Sequence, residues 1–456
     1  MNPPVRMRSW FRRCLPLCVL LIWCTETSKR KINLLSVDFH ISPVHDIKNL
    51  LLAEATLKQV VVHDKSLSGA CASMNTCARD LRVITRENGM ELNPCPHQIR
   101  YQFWNEYTDD GFMHEIDAFV CNHALAICEL YLPFAKPMFL IASTRYEVGR
   151  YSAPQWTRLN TNLVAVAAQP QNILAANNKY DAEYLRHFTG IKYIPVLPSL
   201  CMYVGATYSP SRPEILVGPS RLSSGGKNIL YGSDGLFSHL TSFNKRGDAP
   251  DFVPVRKLYP RFAYSDLAKH PAVVLIPYQV SIMSLFEYYA MAIPVFAPSL
   301  ELLIKWQVKH LVMDELSWNC VFGNCHLASY IESHPDSPHA QYDPNMVLNA
   351  TSLRYWLKFA DFYQWPGIVY FDNWDDLLEK LLSTDLAHVS SIMRRHSDKQ
   401  RSAVWQFWKG SFRYLPSSRS KRRRQQVTTG KNRALWTQQI LNNYPQLAKD
   451  SLTETC

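Results

Sequence analysis

Several features that would classify a chain quickly are missing here. Glycine is sparse, 16 residues in 456, and no unit recurs at a period of about 20–50 residues, which excludes collagen-like chains, solenoids and propellers. No CxxC pair is matched by a second pair or by suitably spaced histidines, so a structural zinc site is not expected. Beyond the first thirty residues no apolar run approaches the roughly 20 residues that cross a bilayer. Acid is in deficit as well: 38 Asp and Glu stand against 49 Lys and Arg, a net charge of +11. Much of that excess is terminal, in Arg6, Arg8, Arg12 and Arg13 and in SRSKRRR at 418–424. It reads as targeting and tail chemistry, and no nucleic-acid partner is expected.

The composition is 47% hydrophobic and 12% aromatic with 28 prolines, enough apolar mass for two domains with real cores and structured loops. The chain opens with a basic segment and an apolar stretch from Cys14 to Cys24. As a helix that stretch reaches only about 16 Å, half a bilayer core, so residues 1–30 read as a signal peptide, with a short signal-anchor (a type II membrane anchor) as the alternative. Either sends the rest into the secretory pathway, to the lumen of the ER or Golgi or out of the cell. Cysteine usage fits that compartment. Cys71/Cys77 and Cys320/Cys325 lie close enough to clamp loops, although spacing does not settle the pairing. Asn349-Ala350-Thr351 is a glycosylation sequon.

Apolar strands alternating with helical stretches run through the chain. Strands are expected at 31–42, 58–64, 82–85, 116–123, 136–144 and 163–169, with helices at 45–57, 124–134 and from 175 to Gly190. A further strand follows, broken by Pro195 and Pro198. A proline-rich stretch through Pro213 reads as a linker. Then strands are expected at 214–220, 272–278 and 294–299, with helices at 283–292, 374–384 and 388–412. Near-continuous apolar strands between helices are the signature of a parallel sheet covered on both faces. The predicted fold is α/β with two doubly wound, Rossmann-like domains facing across a cleft, at 31–205 and 206–385. A return helix at 386–412 and a basic, disordered tail at 413–456 complete it.

In open α/β sheets ligands bind at the carboxyl ends of the strands, so the polar residues there are the candidates. One lies in the stretch VVLIPYQVSIMSLFEYYAMAIPVFAPS at 273–299, where the lone acid Glu287 sits before a Pro-Val strand. The plain reading is an acid at a helix start, favoured by the macrodipole. FEYYAMAIPVFAPS, with Glu287, Ala290, Met291, Pro294 and Val295, resembles the carboxyl-terminal signature of the retaining GT-B glycosyltransferases of group 1. Those enzymes carry a Glu-x7-Glu motif, and Gln279 replaces its first glutamate here. The resemblance implies a nucleotide-sugar donor, with Glu287 on the ribose hydroxyls and Gln279, now neutral, beside the donor sugar. ILVGPSRLSSGGKNIL at 215–230 resembles the same family's phosphate loop, with Arg221 and Lys227 as the cations. A strand, a paired-glycine loop and a helix start suit an anion even without that resemblance.

In the first domain His40, His123, Arg145 and Glu147 end apolar strands. By the resemblance His123 is the histidine beside the transferred sugar. His40, Arg145, Glu147 and Asp38 are candidates for the acceptor side. Any lone histidine is as readily a loop or core residue. A metal-dependent GT-A enzyme would need Asp-x-Asp, and the nearest pattern is Glu115-Ile-Asp117; no metal or other cofactor is expected. The functional expectation is transfer of a hexosyl or related sugar from a nucleotide sugar to a glycan or glycoprotein, with retention implied by the resemblance alone. A catalytically silent binding protein on the same scaffold is the alternative. A sulfotransferase would want a glycine-lysine phosphate loop after the first strand, which DFHISPVHD lacks.

Overall fold

The computed structural model describes residues 31–53, 59–93, 95–219, 240, 242–243 and 250–415. The leader, Arg221, Lys227 and the tail from 416 lie outside the described residues. Two five-stranded parallel sheets organise the rest. The first is ordered β2-β1-β3-β4-β5 and the second β10-β9-β8-β6-β7. In the first, β1 is Ile32–Asp38, β2 Val60–Ser66, β3 Ala118–Cys121, β4 Met138–Ala142 and β5 Ile173–Ala176. In the second, β6 is Ile215–Gly218, β7 Phe252–Pro254, β8 Val273–Leu275, β9 Val295–Pro298 and β10 Ile368–Phe371. β3, β4, β6, β8 and β9 are buried at every position. Their unbroken apolar runs made them legible.

Several expectations need correction. Residues 82–85 form no strand. The segment expected as an α-helix at 124–134 is a 3-10 helix, Leu125–Phe134, with Pro133 inside it. The stretch 163–169 lies in the last turns and C-cap of helix Ala153–Ala167, not in a strand. Trp156, Leu159, Leu163 and Val166 are its buried apolar residues, at helical spacing, and Pro154 sits in its first turn. Read without that upstream half, four apolar residues mimic a strand. After Gly190 only an isolated bridge, Ala176 to Val196, replaces the expected strand. β5, β7 and β10 went unforeseen: they are about as short as the fully buried strands, but none is buried at every position, so no fully buried apolar run marks them.

The last helix, Leu386–Ser411, spans both halves of the molecule. Its first turns carry Val389, Ile392 and Met393 against Gly367, next to β10. Near its end Trp408 stands edge-on to Phe139 of β4 at 5.6 Å. Val404 and Trp408 share a core with Leu34, Val120 and Ile141 of the first sheet. The return crossing onto the first domain is therefore built by apolar packing.

A second tie joins the halves. Helix Lys179–Thr189 meets the segment 329–345. His339 Nε2 lies 2.7 Å from Glu183 Oε2, and its Nδ1 lies 2.6 Å from the Tyr355 hydroxyl. His187 Nδ1 reaches Ser337 Oγ at 3.0 Å, and the His334 amide donates to the His187 carbonyl at 2.8 Å. Gly190 ends the helix at φ +69°, and a Cβ there would stand 2.2 Å from His334 Nδ1. Only glycine fits both the conformation and the approach.

Cys71–Cys77 and Cys320–Cys325 form disulfides, and Cys95 is disulfide-bonded too. Cys121, Cys128 and Cys201 are free and buried. No helix among the described residues is long and apolar enough to cross a membrane.

Candidate functional site

The loops that follow β3 and β4 meet loops of the second sheet. Arg145, three residues beyond β4 and 2% exposed, sends its guanidinium across. Nη1 and Nη2 each donate to Gln279 Oε1 at 3.3 Å, and Nη2 also donates to the Glu315 carbonyl. In return Trp318 Nε1 donates to the Arg145 carbonyl at 2.8 Å. Arginine can only donate, so the Gln279 amide is oriented with its oxygen toward it. Gln279 Nε2 turns to the Tyr278 hydroxyl at 3.4 Å. Gln279 therefore has an interdomain partner already.

His123, two residues beyond β3, is buried beside this junction. Its Nδ1 lies 2.8 Å from Thr144 Oγ1, and its ring stands 6.0 Å from those of both His40 and Trp318. Burial first, then the charges of His40 and Arg145, lower its pKa to about 3. The imidazole is thus neutral across the physiological range. His40 is exposed, and its Nδ1 accepts from the Ser42 amide at 3.4 Å.

Glu147 does not open onto solvent. Its Oε1 accepts from the Tyr184 hydroxyl at 2.8 Å, which in turn accepts from Asn345 Nδ2 at 2.8 Å. Burial lifts its pKa to about 7. Two carboxyl groups that sequence reasoning missed share this interior. Asp181 is 1% and Asp361 2% exposed, and burial raises both. Glu147 Oε2, Asp181 Oδ1, Asp361 Oδ2 and Arg145 Nε are all buried without a hydrogen-bond partner. Only their three-dimensional grouping distinguishes Asp181 and Asp361 from ordinary helix-start acids, so no sequence signal could have found them.

Asp38, at the end of β1, forms a further polar center. Its Oδ1 accepts from Ser66 Oγ at 3.0 Å. Asp38 Oδ2 and Asp64 Oδ1 are buried without a hydrogen-bond partner. Burial, then the neighbouring Asp64, pushes Asp38 up to about 8. A carboxyl raised above its usual value of roughly 3.9 stabilises the fold fully below that value, and loses this contribution as pH rises through the folded value. The urea midpoint is therefore expected to fall between about pH 4 and pH 8, and Asp38→Asn should flatten the fall. A native midpoint that holds level over that range would mean Asp38 is ionised throughout.

Glu287 is the fifth residue of helix Met283–Met291, not a helix-start acid, so the macrodipole does not explain it. The Tyr203 hydroxyl from the linker and the Tyr264 hydroxyl both donate to its Oε1, each at 2.8 Å. No protein group donates to Oε2 among the described residues. Burial raises its pKa, and the two hydroxyls oppose the rise. Tyr288, next on the helix, lies against Gly218 at the end of β6, where a Cβ would stand 2.6 Å from its hydroxyl. The helix is thereby packed onto the strand that precedes Arg221 and Lys227 in the sequence. Among the described residues no cluster of three His, Cys, Asp or Glu is able to hold a metal.

Two doubly wound parallel sheets, with the last helix crossing back onto the first, make this an α/β fold of two facing sheet units. No protein-family model and no curated protein matches the chain. Among solved structures it is similar to a kitacinnamycin glycosyltransferase, at 12% identity and a TM-score of 0.41, covering 85% of this chain and 100% of that one. The glycosyltransferase VinC in complex with DTDP is similar at 11% identity and a TM-score of 0.35, covering 84% and 99%. A UDP-N-acetylglucosamine 2-epimerase from Listeria monocytogenes is similar at 11% and 0.31, covering 59% and 79%.

Proposed function

We propose that the protein is a glycosyltransferase that moves a sugar from a nucleotide-sugar donor to a glycan or glycoprotein acceptor in the secretory pathway. One observation carries the reading. Arg145, from a strand-end loop of the first sheet, hydrogen-bonds Gln279, from a strand-end loop of the second. The two sets of carboxyl-terminal loops thus meet, and such loops are where open α/β sheets bind ligands.

In this reading Glu287 holds the donor ribose through Oε2 while the two tyrosine hydroxyls fix Oε1. Arg221 and Lys227 neutralise the diphosphate as it departs, placing positive charge where negative charge develops. His123, neutral and held by Thr144, borders the sugar as a hydrogen-bonding group. Gln279 and Arg145 set the width of the cleft. His40 and Glu147 lie toward the acceptor. No metal is required for these roles.

The secretory assignment rests on the leader and on Asn349, which is exposed at a helix start. Asn349 Oδ1 accepts from the Thr351 and Ser352 amides at 2.9 and 3.1 Å, which leaves the amide nitrogen for a glycan. Because Asn349→Gln would also remove a cap worth about 1 kcal/mol, Thr351→Ala is the cleaner change. Secreted from a eukaryotic cell, the protein is expected to carry a glycan that Thr351→Ala removes. Purified in that form, it should melt higher with at least one nucleotide sugar by mass action. A melting temperature unmoved across a panel of uridine, guanosine, cytidine and thymidine diphosphate sugars would rule out donor binding.

A further inference from the structure

A cavity of about 320 Å³ opens among the linker 199–207, helix Met283–Met291 and helix Leu386–Ser411, and none of the cleft residues described above lines it. Its volume lies at the small end of the range of ligand sites. One corner is aromatic. The Trp365 ring lies 5.1 Å from Phe286 and 4.6 Å from Tyr289. The Tyr289 hydroxyl is already spent on the Pro366 carbonyl at 2.7 Å, so the tyrosine offers a ring and no donor.

The last helix contributes Arg401 to the lining. This arginine is poorly compensated. Its nearest carboxylate, Asp398, stands 3.9 Å away on a side chain 72% exposed, an arrangement worth little in water. Its Nε is buried and has no hydrogen-bond partner. The linker wall is preformed, because the buried Asp46 accepts from the Leu200 and Cys201 amides at 3.1 and 2.6 Å.

A cation would be repelled from such a cavity, and a purely apolar guest would leave the Arg401 guanidinium with only the exposed Asp398 as counter-ion. An anion with a planar body satisfies both surfaces. We infer that this cavity binds a small organic anion with a planar apolar body, at a site separate from the cleft. Phe286 and Ala290 flank Glu287 on their helix, and Met202 and Val204 flank Tyr203 in the linker. The guest therefore sits behind the Glu287–Tyr203 hydrogen bond.

Anilinonaphthalene sulfonate, a fluorescent anion of this type, is the probe. Titrated into the folded full chain, it is expected to give a saturable rise in fluorescence that excess UDP leaves in place. Arg401→Gln should weaken its Kd by about tenfold or more, the loss expected for a charge-assisted contact. Arg401→Lys should fall between the two. Ala290→Trp, which fills the space beside Tyr289, should abolish the signal while keeping the charge. Arg401→Gln keeps a polar side chain at a half-buried position whose ion pair with exposed Asp398 is worth little, so it is expected to melt close to the native protein and decides the matter if Ala290→Trp fails to fold. No saturable rise, displacement by UDP, or an unchanged Kd in Arg401→Gln would each overturn the site.

Discussion

Arg145→Met is expected to lower the stability of the whole chain by about 3–5 kcal/mol, the cost of removing one partner from a buried charged network. The guanidinium satisfies Gln279 Oε1 and the Glu315 carbonyl, and its charge opposes the rise that burial imposes on the pKa values of Glu147 and Asp181. Methionine fills similar space and answers none of these. Gln279→Leu removes a single acceptor and leaves the arginine its Glu315 bond, so it should cost only about 1–3 kcal/mol. Urea unfolding of both variants reads the difference directly. If the arginine variant loses no more than the glutamine variant, Arg145 is not the tie between the domains.

Glu287→Gln should behave in the opposite manner, sparing the fold and damaging donor binding. The glutamine oxygen still accepts from Tyr203 and Tyr264, so the stability cost should stay near 1 kcal/mol or below. Binding of a nucleotide donor should weaken by about 1.5–3 kcal/mol, roughly ten- to a hundredfold, because a charged acceptor to paired hydroxyls is lost. A donor with deoxygenated ribose provides the control in titration calorimetry. It should bind the native protein more weakly than the parent donor does, and lose little more against the variant. Should Glu287→Gln unfold more easily while donor affinity stays native, the carboxylate serves only to hold the two tyrosines.

Much of this architecture was legible in the residues. The strands at 118–121, 138–142 and 295–298 announce themselves because a parallel strand buried on both faces must be apolar at every position. Helix Trp374–Ser383 is equally plain, with Leu377 and Leu381 buried one turn apart and acids in its first turn. The failures have local causes. At 163–169 a helix contributed its apolar turns to a short window. At 173–176 and 368–371 an equally short strand is only partly buried, so no fully buried run marked it.

The candidate site divides along the same line. The candidates His123 and Arg145 were read locally as polar residues closing apolar strands, and Gln279 and Glu287 through the motif resemblance. Their partners could not be read either way. Arg145 meets Gln279 from 134 positions away, and Glu287 meets Tyr203 from 84. The buried group around Arg145 draws Asp181 and Asp361 from different halves of the chain. By itself the sequence determined which segments become strands and helices, since burial on a given face imposes a pattern on neighbouring residues. Only the tertiary structure decided that Glu287 sits in mid-helix under two tyrosines and that Gln279 answers an arginine. Such contacts depend on how two domains dock, and the local chain carries no pattern for a partner that far away.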